Sequence, residues 1–153
     1  MDMDVTITSG KDFDATVQAV LEETAAAAFR VLATHDVSAT LAEKGFDRER
    51  VTIIEVCNAK HAHAVLAADV RIGLMLPCPI MVYAEGDAVK VTTMRPTAIG
   101  GFFPEADLRD VPDEVERAIV GIMERGLNDK VSARTGLHLP SATFGAKNSC
   151  SEA

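Results

Sequence analysis

Residues 51–57, Val-Thr-Ile-Ile-Glu-Val-Cys, form a run of mostly β-branched side chains, too short for a helix and well suited to a pleated strand. Asn58 follows at once, a residue type that caps free helix N–H groups, and residues 59–68 then place Ala62, Val65 and Leu66 on one side of a helix. A strand running straight into a capped helix makes the centre of the chain α+β and leaves Cys57 just before a helix N-terminus. A second apolar run opens at Leu76-Pro77-Cys78. Residues 74–84 and 88–94 flank Glu85-Gly86-Asp87, the composition of a hairpin loop. Pro77 and Pro79 lie two apart, so their missing N–H groups fall on one side of an extended chain. That portion is expected to be a sheet edge or a bulge.

Other elements surround this centre. Residues 5–8 are short and β-branched, a first strand. Phe13, Val17, Val20, Leu21 and Thr24 recur at helical spacing, with Asp12 and Asp14 at the positive end of the helix dipole. Residues 29–35 read as a strand, 36–38 as a turn and cap, and 39–44 as a short helix stopped by Gly45. Residues 95–111 hold Pro96, Gly100, Gly101 and Pro104 and read as a loop or irregular crossing. Pro112, Asp113 and Glu114 start a helix whose Val115, Ile119, Ile122, Met123 and Leu127 form an apolar stripe, with Arg125 and Lys130 toward its negative end. From Ser132 onward Gly, Ser, Asn and Lys dominate. The expected organisation is one α+β domain over residues 1–135 and a loosely held tail over 136–153.

The length suits one domain with a real core. A net charge of −8 and a pI near 4.9 repel a phosphate backbone, which argues against a nucleic-acid partner. No apolar run approaches the roughly 20 residues of a membrane span, and Met1-Asp2-Met3-Asp4 lacks the basic start of a signal peptide. No membrane partner and a cytoplasmic location are expected. Three cysteines at irregular spacing do not make a disulfide framework, so reduced thiols are assumed. There is no Walker loop, no G-x-G-x-x-G after a strand, no H-E-x-x-H and no G-x-S-x-G elbow.

Phe29-Arg-Val-Leu, Asp36-Val-Ser-Ala-Thr-Leu, Val56-Cys-Asn, Ile72-Gly-Leu-Met-Leu-Pro-Cys and Val82-Tyr, with a turn and Val89-Lys-Val after them, occur in this order over roughly residues 5 to 100. This series resembles the bacterial and archaeal family called domain of unknown function 302. The resemblance implies a single TATA-binding-protein-like α+β unit, β-α-β(4)-α with extra short helices. One curved antiparallel sheet would carry helices packed on one face, and the protein would form a homodimer. It implies no established activity. The chain departs from the family at Ala59, where Pro is common after Cys-Asn, and at Pro79, where a polar or basic residue is common after Leu-Pro-Cys.

Cys57, Asn58 and Cys78 are the candidate pocket residues. Cys57 reads either as a small hydrophobe ending a buried strand or as a thiol activated at a helix start. Cys78 can approach it if their strands are neighbours. Cys57-x-x-x-His61 together with Cys78 is a candidate metal set that lacks a fourth ligand. His61 and His63 point to different sides of a helix, so at least one is simply solvated. No nucleophile with a positioned base can be named, and no cofactor is identified. Two readings remain: a non-catalytic homodimeric small-ligand-binding or interaction domain, and a thiol-centred protein binding metal or haem, or sensing oxidants, through Cys57 and Cys78.

Overall fold

The computed structural model describes residues 2–127, so the expected tail, residues 136–153, lies outside the described residues. The strands are β1 (Asp4–Ser9), β2 (Arg30–Asp36), β3 (Val51–Cys57), β4 (Cys78–Glu85) and β5 (Ala88–Met94). They form one antiparallel sheet in the order β1-β5-β4-β3-β2. The helices are α1 (Phe13–Ala26), α2 (Val37–Ala42), α3 (Ala59–Ala68), α4 (Ile99–Phe102) and α5 (Val111–Leu127). Gly86, at a φ of +58°, occupies the turn between β4 and β5, where a side chain would be strained.

Alternation along the strands separates the two faces of the sheet. Ile54 and Val56 of β3, Ile80 and Val82 of β4 and Val91 of β5 are buried against Val20 of α1 and Ile119, Ile122 and Met123 of α5. Each of these aliphatic side chains contributes roughly 1.5–3 kcal/mol by leaving water. The stripe expected on the last helix is buried throughout. Two polar residues share this face of α1, and their hydroxyls are satisfied inside the helix: Thr16 Oγ1 donates to the Asp12 carbonyl at 2.7 Å and Thr24 Oγ1 to the Val20 carbonyl at 2.6 Å. The opposite face carries Ile53, Met81 and Met94, which line a shallow groove of about 320 Å³.

Four expectations need correction. The short helix begins at Val37, because the Asp36 carboxylate, at the end of β2, already accepts from Ala39 N at 2.9 Å. The Pro77–Pro79 portion is not an edge: β4 lies between β3 and β5. Pairing of β4 with β5 begins only at Ile80, and the Pro79 carbonyl accepts from Thr93 Oγ1 at 2.7 Å, so proline stands where that ladder has not yet started. Residues 70–75, partly assigned to the strand, form a 3₁₀ turn instead. Residues 95–111 hold more structure than a loop, with a 3₁₀ turn at Pro96–Ala98 followed by α4. Burial of Ile99 and Leu108 anchors this crossing, although Gly100 and Gly101 lower its helical propensity.

Candidate functional site

A second cluster of buried side chains, Val65, Ile72, Ile99 and Leu108, packs beside the main core. Between the two clusters runs a cavity with about 30 Å³ open to the centre of a water molecule. Phe29 and Val115 wall it from the main core, Val65 and Ile99 from the second cluster, and Leu76 and Cys78 from the entry into β4. Cys57, Asn58 and His61 complete the lining on the β3–α3 side. The three candidate pocket residues therefore meet at one cavity. The reason is register: Val56 pairs with Cys78, so the end of β3 lies beside the start of β4.

Asn58 serves two backbone segments. Its Oδ1 accepts from Lys60 N at 3.1 Å and His61 N at 3.3 Å, capping α3, and its Nδ2 donates to the Ala28 carbonyl at 3.2 Å. Ala28 has a φ of +60°, a left-handed conformation that costs a residue with a Cβ about 1–2 kcal/mol. The Asn58 amide thus ties down the strained junction between α1 and β2 while it starts α3. Burial pushes the Cys78 thiol up to about 11, and the neighbouring Cys57 adds to the shift. At neutral pH Cys78 is a protonated, weakly polar part of an apolar wall, not a nucleophile. Cys57 and Cys78 are free thiols.

His61 lies with its ring centroid 6.5 Å from that of Phe29, and its Nδ1 is 3.8 Å from Glu114 Oε2. His63 is exposed. Among the described residues, no three His, Cys, Asp or Glu side chains come together to hold a metal ion. Cys57, Cys78 and His61 line one cavity without converging as the expected ligand set. His61 instead faces a ring and the start of α5. Outside this end of the cavity a polar groove of about 240 Å³ is lined by Lys60, His61, Arg109, Asp110 and Glu114.

A family model described as domain of unknown function DUF302 matches residues 5–126. The chain belongs to this family. A solved structure described as an uncharacterized conserved protein DUF302 from Bacillus stearothermophilus is similar to it, with a TM-score of 0.77 and 27% sequence identity over 82% of this chain and 98% of the other. No curated protein matches. The single antiparallel sheet with its helices agrees with this DUF302 relative. No helix among the described residues of this DUF302 domain is long and apolar enough to cross a membrane.

Sequence reasoning missed most of the cavity wall. Phe29, Val65, Leu76, Ile99 and Val115 are ordinary core residues in sequence, and only the meeting of two clusters leaves space between them. The groove residues Lys60 and Arg109 carried no signal either, being charged side chains at the surface.

Proposed function

We propose that this DUF302 domain is a non-catalytic, homodimeric, cytoplasmic protein that binds a small ligand in the cavity between its two cores. The observation that carries the reading is the apolar cavity at which Cys57, Asn58 and Cys78 meet. Sites for small molecules are concave and mostly apolar, with few polar groups. Binding is favoured over catalysis because two of the polar groups at hand are taken up: Asn58 holds two backbone segments, and Cys78 keeps its proton. The sheet face bearing Ile53, Met81 and Met94 is the proposed seam between subunits, since half-buried apolar side chains line its groove.

Native mass spectrometry of untagged protein, purified without chelator, tests both parts. A dimer that takes up a small apolar molecule, and no longer does so when Ala62→Phe fills the cavity, is the expected result. A strict monomer removes the dimer, and uptake insensitive to Ala62→Phe removes the site. The thiol-centred reading has one observation in its favour, the juxtaposition of Cys57 and Cys78. It predicts a bound mass that disappears in a Cys57→Ser/Cys78→Ala variant, whereas the favoured reading predicts unchanged dimerisation and ligand content.

A further inference from the structure

We propose that the groove on the sheet face opposite the main core binds a soft monovalent cation, copper(I) or silver(I), through the thioethers of Met3, Met81 and Met94 beside the carboxylate of Asp4. All four residues line that groove of about 320 Å³, which shares no residue with the cavity between the two cores. The site goes beyond the ligand-binding reading and does not depend on it.

The described methionines fall into two sets. Met123 is fully buried in the main core and Met75 packs against the second cluster, where a flexible side chain fills irregular space. Met81 and Met94 turn the other way. Met81 pairs with Thr92 and stands between the inward-facing Ile80 and Val82, and Met94 follows Thr92 by two positions, so the two share one face as diagonal neighbours. Such neighbours lie about 7–8 Å apart, within reach of long side chains. Met3 joins them because its carbonyl accepts from Arg95 N at 2.8 Å, which holds the chain before β1 beside the end of β5. Three thioether sulfurs on one apolar groove are a soft donor set, suited to copper(I) and not to the oxygen-seeking calcium or magnesium.

The charge of the surroundings selects a cation. Thioethers are neutral and have no proton to lose, and Asp4 is the one charged residue in the groove lining. Its Oδ2 accepts from Thr6 Oγ1 at 2.7 Å and from Thr92 Oγ1 at 3.3 Å. The basic groups around the groove have carboxylates of their own: Arg95 bonds Glu116 and lies 3.5 Å from Asp2, Lys90 bonds Glu85, and His35 faces Glu55. Even with His35 protonated, three positive groups stand against these four carboxylates and Asp4, so the balance is negative in either state of the imidazole. A single positive charge at the sulfurs gives Asp4 the partner that it lacks among the described residues.

The test titrates silver nitrate, in chloride-free buffer, into the full chain carrying isotope-labelled methionine methyl groups and follows them by NMR. One silver ion per chain is expected to shift the methyls of Met3, Met81 and Met94 and to leave those of Met75 and Met123, whereas magnesium shifts none. Met81→Leu/Met94→Leu keeps volume and apolar character, so it is expected to fold and to lose the silver-induced shift of the Met3 methyl. Asp4→Asn is expected to weaken binding about two- to fivefold, the range of an exposed charge pair. Silver also binds thiols, so the titration is repeated on Cys57→Ala/Cys78→Ala/Cys150→Ala, in which the same three methyls are expected to shift; if that chain fails to fold, the leucine variant with its thiols intact decides. The metal site is overturned if the groove methyls shift no more than those of Met75 and Met123, if their shifts vanish with the thiols, or if the leucine variant keeps the Met3 shift. If Asp4→Asn binds silver as wild type does, the role of the carboxylate is overturned and the sulfurs alone hold the ion. The groove lies on the face proposed as the subunit seam, and leucine preserves that apolar face, so native mass spectrometry of the leucine variant reads the seam separately: a dimer without silver is expected, and a silver-binding monomeric wild type would remove the seam and leave the metal site.

Discussion

Replacing Asn58 by Ala and by Asp separates two tasks that one side chain performs. Asn58→Ala deletes the cap of α3, a loss of about 1 kcal/mol in typical hosts. It also removes the bond from Nδ2 to the Ala28 carbonyl, worth about another 1 kcal/mol at a half-buried position. The total expected loss is about 2 kcal/mol. Asn58→Asp keeps an oxygen in position to accept from Lys60 N and His61 N but has no donor for the Ala28 carbonyl, so it should lose only about 1 kcal/mol. Urea unfolding at pH 7 reads both values from the shift in midpoint at constant slope. A third variant, Ala28→Gly, relieves the left-handed strain at a φ of +60° and should stabilise by about 1 kcal/mol. If Asn58→Asp matches wild type, the tie to Ala28 contributes nothing. If it matches Asn58→Ala, the cap is not what the acceptor provides. Either result refutes this division of labour within the Asn58 side chain.

Cys78→Ser should lower stability by about 1–2 kcal/mol and by more than Cys78→Ala, since a hydroxyl in the apolar wall has no partner to replace water; thermal melts of the two variants decide the order. Burial raises the carboxyl pKa of Glu116, but hydrogen bonds from Thr97 and Arg95 outweigh it and leave the group below its ordinary value. Its stabilisation is therefore present above the usual carboxylate range and lost as pH falls through the lowered pKa. Glu116→Gln should cost about 1–2 kcal/mol at pH 7, and denaturation curves of the two proteins should converge in acid. At the crossing of α1 and α5, a Cβ on Gly126 would lie 3.4 Å from the backbone carbon of Ala19 and 3.6 Å from Val20 N. Gly126→Ala should be tolerated within about 0.5 kcal/mol, while Gly126→Val should cost about 2 kcal/mol or more by pushing the helices apart; a melt showing both variants equal to wild type would refute the close approach.

The parts legible in sequence are those decided locally. β3, its Asn58 cap and α3 occupy the residues expected of them, because a β-branched run and a capping side chain act within a few residues. The α5 stripe was equally plain, its period being that of the helix it forms. Pro79 misled because edge position is only one of the places where a missing N–H is harmless. The start of a central strand is another, and which applies depends on where β5 begins to pair. Ile99 and Leu108 lie in a segment without periodicity, so nothing local marked them as a second core. The meeting of Cys57 and Cys78 was conditional on neighbouring strands, and the pairing of Val56 with Cys78 satisfies that condition. The bonds of Glu116 to Arg95 and Thr97 join residues about twenty positions apart, a pairing with no periodic pattern to mark it.

The placement of β1 and β2 at opposite edges has a consequence for how the molecule is made. β1 leaves the ribosome first, yet the strand it pairs with, through Asp4 with Met94 and Ser9 with Val89, is the last of the five to be synthesised. Until residues 89–94 are available, Asp4–Ser9 lacks the strand that takes up its N–H and C=O groups in the sheet. The neighbouring pairs β2–β3, β3–β4 and β4–β5 can each form as the chain lengthens, whereas β1 must close a loop of about eighty residues. Maturation of the sheet is thus vectorial at one edge and delayed at the other. A nascent chain stalled after β4 would display its N-terminal strand to any other chain able to extend it.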